Sequence, residues 1–146
     1  MAPVISTPGG VGSNIGILQT ATLTLTNTQV NALNSSPQTL VPAPGAGFVI
    51  IPLTFSACLA YAATFTGGGK RIAARMGSAN PLWKTSIIDS AQTGNRLATG
   101  SVGWVGNYGA KTAYDNVAVT LYAETAYTGG AGSTITFTCL YYLLAC

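Results

Sequence analysis

Few residues of this chain could take part in acid–base chemistry. Its 146 residues include no histidine and only three acidic side chains, Asp89, Asp115 and Glu124. A glycosidase needs two acids about 5 to 9.5 Å apart, which makes Asp89 and Asp115 the candidate pair. No further motif supports that pair, and an active site needs several titratable groups held together. Solvated or salt-bridged acids at strand ends are the favoured interpretation, so we predict a protein that is not an enzyme and has no catalytic residues.

Nucleophiles and ligand-binding motifs also lack their usual partners. Serine and threonine are plentiful, but without a general base none of them is an activated nucleophile. Glycines at 67–69 precede Lys70 without the spacing or the following helix of a phosphate-binding loop, which favours a turn. Cys58, Cys139 and Cys146 have no metal-ligand spacing. We predict free thiols, with Cys58 and Cys139 in the core and Cys146 free to be exposed, and we expect no metal and no cofactor.

The composition indicates a subunit of a larger assembly. Charged residues make up 6% of the chain and hydrophobic residues 48%, with a mean hydropathy of +0.40, whereas soluble domains typically contain about 25% charged residues. Protein interfaces are depleted in Lys, Glu and Asp. The net charge of +3 rests on six bases that are scattered apart from Lys70, Arg71 and Arg75. Nucleic-acid binding needs clustered bases, so we expect no nucleic-acid partner.

The segment 38–55, QTLVPAPGAGFVIIPLTF, organises the predicted fold. Residues 39–41 are typical of the end of a strand, and Phe48 begins the longest apolar strand. Between them, Pro42 and Pro44 fix φ, while Gly45 and Gly47 permit the positive φ of a turn. The chain is therefore predicted to reverse or to change sheet here.

The apolar run 48–65 also approaches the length of a membrane-spanning helix. Its β-branched residues, Pro52 and its polar residues favour a strand instead, so no membrane partner is expected. No basic segment precedes a hydrophobic stretch near the N-terminus. We therefore expect synthesis in the cytoplasm without a secretory signal.

Period-2 alternation of apolar and polar residues predicts most of the other strands. It is present in 21–26, 117–124 and 134–143, and a turn at 128–132 suggests that the last two segments form a β-hairpin. Asn27 or Thr28 can cap a short helical turn with Val30 and Leu33 on one side. Further strands are predicted over 70–76, where Ile72, Ala74 and Met76 share one face and Arg71, Ala73 and Arg75 the other, and over 83–90.

These elements predict an all-β fold, an antiparallel β-sandwich of jelly-roll-like topology. Residues 17–146 form its single domain, and residues 1–16 form an extended N-terminal arm. The arm is rich in glycine and proline but includes Val4, Ile5, Val11 and Ile15. We predict that these four residues contact a neighbouring subunit.

Three parts of the sequence resemble the two ends of small virion proteins of tailed bacteriophages. They are TLTLTNTQVNAL (22–33), SSPQTLVPAPGAGFVIIPL (35–53) and NVAVTLYAETAYTGGAGSTITFTCLYYLL (116–144), whereas the middle, 66–115, departs from the pattern. The resemblance implies an all-β structural component of the virion, of the capsid cement or decoration type. Such a protein would bind and stabilise the assembled lattice of the major capsid protein on the capsid exterior, commonly as a homotrimer. The family has no catalytic residues to transfer.

Several exposed residues have alternative interpretations. Arg71 and Arg75 could pair with an acidic patch on a capsid protein, or they could protect an edge strand from unwanted pairing. Trp83 could pack in the core, or it could anchor a subunit contact or stack on a sugar. Trp104 and Tyr108 lie among glycines and could contact a neighbouring subunit or stack on a sugar. The alternative function is therefore a neck, tail or spike component that binds a receptor or glycan.

Overall fold

The protein consists mainly of β-strands, in a computed structural model that describes residues 16–67, 71–77, 81–88, 92–102 and 114–145. No helix in these ranges is long and apolar enough to cross a membrane. The elements are β1 Gln19–Thr26, α1 Asn27–Ala32, β2 Gln38–Val41, β3 Phe48–Ala60, β4 Phe65–Thr66, β5 Ile72–Met76, β6 Trp83–Thr85, β7 Arg96–Ser101, β8 Val119–Ala123, β9 Thr128–Gly129 and β10 Thr134–Ala145.

Two four-stranded sheets form the sandwich. The first sheet has the order β1-β10-β3-β7 and the second sheet the order β2-β8-β5-β6. Among the strands of these sheets, the first pairs with the last (β1 with β10), the second with the seventh (β2 with β8), the third with the sixth (β3 with β7) and the fourth with the fifth (β5 with β6). Pairing of β10 with β3 and of β8 with β5 completes each sheet, and every pairing is antiparallel. The predicted all-β, antiparallel sandwich is confirmed.

The core lies between the sheets and is built from alternate residues of their strands. In β10, Ile135, Phe137 and Cys139 are fully buried, as are Val119 and Leu121 in β8. Alternate side chains of a strand point to opposite faces, so each sheet buries one face and presents the other to the outside. The alternation that predicted these strands is therefore confirmed.

The loop 42–47 carries the chain from the second sheet to the first, because β2 belongs to one and β3 to the other. The N–H of Gly47 donates to Asp115 Oδ1 at 2.7 Å, and the N–H of Gly45 donates to Asn116 Oδ1 at 2.8 Å. Both glycines have a positive φ, 103° for Gly45 and 83° for Gly47. The predicted change of sheet is confirmed. Hydrogen bonds to Asp115 and Asn116, which precede β8, hold the loop in place.

The short helix α1 begins one or two residues earlier than predicted. Thr26, the last residue of β1, is the N-cap, and its hydroxyl accepts from the Gln29 N–H while the Gln29 side chain accepts from the Thr26 N–H. The predicted caps, Asn27 and Thr28, are wrong because an N-cap residue has extended backbone, which the end of a strand already supplies. Val30 and Leu33, predicted to share one side of the helical turn, are both fully buried.

The predicted hairpin between 117–124 and 134–143 is wrong. β8 lies in the second sheet and β10 in the first, so the glycine-rich connection crosses from one sheet to the other. On the way, β9 pairs with β4, with Gly129 opposite Phe65. Two alternating strands give the same sequence pattern whether they pair side by side or face each other across a core, which is why the pattern could not separate the two arrangements.

Two other predicted boundaries also differ. The strand predicted over 83–90 ends at Thr85, and buried Ile87 and Ile88 follow it outside a strand. The strand predicted from residue 70 begins at Ile72. Of the predicted arm, only Gly16 lies in the described ranges, where its N–H donates to the Leu143 carbonyl at 2.9 Å.

Candidate functional site

The outer face of the first sheet carries hydroxyl groups in rows that cross its strands. One row places Thr22 beside Thr138, Thr138 beside Ser56 and Ser56 beside Thr99. Opposed side chains in an antiparallel sheet lie on the same face. The Thr22 and Thr138 hydroxyls are 3.3 Å apart. The polar character of this part of the sheet thus comes from threonine and serine.

The next row on either side is mixed. Toward α1, Thr24 lies beside Thr136, Thr136 beside Cys58 and Cys58 beside Leu97. Leu97 is 71% exposed, so a large apolar side chain stands in water on the edge strand β7. The other neighbouring row runs across Thr20, Leu140, Thr54 and Ser101.

Toward the far end of the sheet the same surface becomes apolar. Leu144 on β10 and Leu53 at an irregularity of β3 are 45% and 38% exposed, and Leu18, just before β1, is 57% exposed. Arg96 is the one charged residue in β1, β3, β7 and β10, all of which the structure describes in full. It pairs with buried Leu59 at the inner side of β7. We call the outward surface of these four strands the uncharged face.

The second sheet has a different outer surface, which we call the charged patch: Arg71, Arg75, Lys84, Glu124 and Tyr122. Lys84 Nζ lies 2.5 Å from Glu124 Oε1, with both side chains about one third exposed. The Arg75 guanidinium stands 4.2 Å from the centroid of the Tyr122 ring, a cation–π contact. Three cations and one carboxylate therefore share a small area on the side opposite to the uncharged face.

The charged patch corrects one interpretation of the arginines. β5 lies between β8 and β6 in its sheet, so it is not an edge strand. Arg75 packs across the face onto Tyr122 and cannot guard a free edge. Arg71 is exposed just before β5, and its carbonyl accepts the Glu124 N–H at 3.2 Å. Edge protection is thus wrong for this pair, and contact with an acidic partner stays a prediction.

The two described carboxylates have structural partners. Asp115 accepts from Gly47, and Glu124 pairs with Lys84. Asp89, the other member of the candidate pair, lies outside the described residues. Within the described ranges, no group of three or more His, Cys, Asp or Glu side chains is placed to hold a metal ion.

The cysteines differ from one another. Cys139 is fully buried, and burial raises the pKa of its thiol to about 12. Cys58 is exposed, so its assignment to the core is wrong. Its neighbours Ala57 and Leu59 are both fully buried, which leaves Cys58 in the alternate position on the uncharged face. Cys146 lies outside the described residues.

The predicted contact residues are only partly covered by the structure. Val4, Ile5, Val11, Ile15, Trp104 and Tyr108 lie outside the described residues, so their roles stay predictions. Trp83 is buried and stacks on Phe55 with ring centroids 5.6 Å apart, which favours core packing over an exposed anchor for this residue.

None of the contact residues predicted from the sequence belongs to the four strands of the uncharged face. Its signal was present, because threonine takes every second position over 20–26 and over 134–138 without a single charge. That pattern predicted exposed strand faces correctly. It could not reveal that these faces join into one surface, because the two segments are more than 100 residues apart in the chain.

A scan of protein-family models and searches of curated proteins and of solved structures found no match to this chain. Its class is therefore described by the fold and the two outer surfaces alone: it is an antiparallel β-sandwich with one uncharged and one charged outer face.

Proposed function

We propose that this chain is a structural protein of a tailed-bacteriophage virion, most specifically a capsid cement or decoration protein. It would bind the assembled lattice of the major capsid protein from the outside and stabilise it. The observation that carries the proposal is the uncharged face, which has the composition of a contact between subunits of an assembly, whereas the charged patch would make the contact with the capsid protein. A surface designed to stay in water carries interspersed charges of both signs, whereas contact surfaces are depleted in Lys, Glu and Asp.

We also infer a jelly-roll topology for the sandwich. The support is the pairing order of the eight strands in the two sheets. Counted along the chain, the first pairs with the eighth, the second with the seventh, the third with the sixth and the fourth with the fifth. Jelly rolls have eight strands in two Greek keys and are frequent in viral capsid and lectin domains. This inference agrees with the sequence resemblance of 35–53 and 116–144 to virion proteins.

Stabilisation of the capsid would follow from binding alone. A protein that binds the assembled lattice and not the separated subunits shifts the equilibrium toward the assembled state. No covalent chemistry is needed. The exposed Arg71 in the charged patch would supply a contact for an acidic area of the capsid protein, and the protein would act as a homo-oligomer.

Reconstitution tests this function. Purified protein is mixed with capsids that lack it and, separately, with unassembled capsid protein, and each mixture is sedimented. We expect saturable co-sedimentation with the assembled capsids only, weaker binding by Arg71→Glu, and a higher melting temperature of the decorated capsids. Absence of binding to the assembled lattice contradicts the proposal.

The N-terminal arm gives a second test of the same function. Deleting residues 1–16 should lower the number of copies bound per capsid, because Val4, Ile5, Val11 and Ile15 are predicted to contact neighbours. Occupancy is measured by quantitative gel densitometry of sedimented capsids. Equal occupancy of the deletion variant and the full chain would remove the arm from the account.

The alternative is a neck, tail or spike component that binds a receptor or glycan, since lectin domains also use jelly rolls. A glycan-binding screen of the wild type and of Trp104→Ala separates the two functions. The cement proposal expects no specific glycan. Binding that Trp104→Ala abolishes would favour the alternative.

A further inference from the structure

The uncharged face is large enough for a stable protein contact. Its four strands contain 8, 12, 13 and 6 residues. With strands about 4.8 Å apart and a rise of about 3.3 Å per residue, the face is about 19 Å wide and about 33 Å long on average, or roughly 600 Å². Covering it would remove roughly 1,200 Å² from water over both partners, which reaches the lower end of the range of about 1,200–2,000 Å² for stable interfaces.

The chemistry of the face restricts what can cover it. A charged side chain that is buried against it would find no opposite charge, because the four strands present none on this side. Leaving a buried charge unpaired is strongly destabilising. The covering surface must therefore be uncharged over a similar area.

The chain itself offers such a surface. Threonine and serine hydroxyls both donate and accept hydrogen bonds, so a surface such as that around Thr22, Ser56 and Thr138 can pair with another uncharged hydroxyl surface, including a copy of itself. The exposed leucines, such as Leu97 and Leu144, can pack on one another without directional requirements. Only 6% of the whole chain is charged, so a neighbouring copy meets the requirement more readily than an average protein surface does.

We propose that a second copy of this chain covers the uncharged face. The inference goes beyond the proposed function, because it names the surface and its occupant from the geometry of the first sheet. This inference applies whether or not the protein is bound to a capsid. It leaves the charged patch of the second sheet free for a different partner.

The oligomeric state of charge variants tests this proposal. The variants Thr22→Lys and Leu97→Lys each place an ammonium on the face at an exposed position of an edge strand. Thr39→Lys is the matched control, since Thr39 is an exposed edge-strand threonine of the second sheet. The wild type should be an oligomer by sedimentation velocity. The dissociation constant of the oligomer should be at least about tenfold higher for the two face variants than for the wild type, because the buried ammonium has no partner. The control Thr39→Lys should have the dissociation constant of the wild type.

Cys58 supplies a second readout on the same surface. In a Cys146→Ser background, maleimide reaction of Cys58 should be slow in the oligomer and fast in Thr22→Lys, whose new ammonium lies in a different row from Cys58, while Cys139 stays unreactive because it is buried. A monomeric wild type overturns the proposal, and so does an oligomer in which Cys58 reacts freely, because another surface would then hold the copies together. A monomer whose Cys58 becomes protected only on capsids also overturns it and assigns the face to the capsid protein. Failure to bind capsids, by contrast, leaves this inference intact and contradicts only the proposed function.

Discussion

The hydroxyls of Thr24 and Thr136 lie 2.9 Å apart across β1 and β10, on the outer surface of the first sheet. In many sheets an opposed pair on an exposed face has opposite charges, which contribute a comparable cross-strand stabilisation. Here the pair is polar but neutral. A neighbouring protein could therefore cover this pair without burying a charge.

Gly100 is predicted to be intolerant of any side chain. A Cβ at this position would lie 2.5 Å from Trp83 Nε1 and 2.9 Å from Trp83 Cδ1, and Trp83 is held by its stacking on Phe55. Gly100→Ala should therefore lower the free energy of unfolding by about 1–3 kcal/mol, the typical effect of overpacking. Denaturant unfolding measures this value.

A matched control and a rescue variant make the Gly100 prediction specific. A Cβ on Gly94 would meet nothing within 4 Å, so Gly94→Ala should leave stability nearly unchanged. Adding Gly100→Ala to a Trp83→Phe background should be less destabilising than adding it to the wild type, because the clashing indole nitrogen is gone. An equal loss in both backgrounds would show that the clash is not the cause.

Asp115 is predicted to stabilise the loop 42–47 rather than to perform catalysis. Its Oδ1 accepts from the Gly47 N–H at 2.7 Å. Asp115→Ala should lower the free energy of unfolding by about 1.5–3 kcal/mol, as expected for a hydrogen bond to a charged group. Asp115→Asn keeps an oxygen acceptor and should be less destabilising, whereas equal effects of the two substitutions would argue against this role.

The contact between Arg75 and Tyr122 should be measurable by a double-mutant cycle. Arg75→Gln and Tyr122→Leu, singly and together, should give a coupling free energy of about 0.5–1 kcal/mol, the usual size of an exposed cation–π contact. Arg71→Gln serves as the control, since Arg71 is exposed and should show no coupling to Tyr122→Leu. A coupling near zero for Arg75 would mean that the two side chains only lie near each other.

Stability should fall in alkali. Burial raises the pKa of the Cys139 thiol from 9.0 to about 12. The pKa of the Tyr127 hydroxyl rises from 10.0 to about 12, mainly because the group is buried and also because of the negative charge of the nearby Glu124. Between the unfolded and folded pKa values the unfolded chain has lost protons that the folded protein retains, so the free energy of unfolding decreases as pH rises. The decrease should begin near pH 9 and continue to about pH 12.

Cys139→Ala should flatten the first part of that decrease. Below pH 9 its stability is lower because of the cavity, so the slope of unfolding free energy against pH is the quantity to compare. Between pH 9 and pH 10 the slope should be smaller in the variant than in the wild type. Parallel slopes over this interval would show that the thiol does not contribute.

The sequence predicted local structure well wherever one pattern determined it. Alternation located β1, β8 and β10, and the prolines and glycines of 42–47 marked the change of sheet. Sequence patterns failed where the local structure depends on contacts with residues far away in the chain. The glycine connection before β10 crosses the sandwich because β8 pairs with β2 and β5, and Cys58 faces outward because Ala57 and Leu59 occupy the inner positions. In an apolar run such as 48–60, the sequence does not indicate which alternate residue points inward.

The copy number of the protein in purified particles tests the central claim most directly. On the cement proposal a tailed bacteriophage encodes the chain, and quantitative mass spectrometry of its purified particles would give the ratio of this protein to the major capsid protein. The cement proposal predicts a number of copies near that of the major capsid protein. A few copies per particle would place the protein in a neck, tail or spike, and its absence from purified particles would contradict a structural role in the virion.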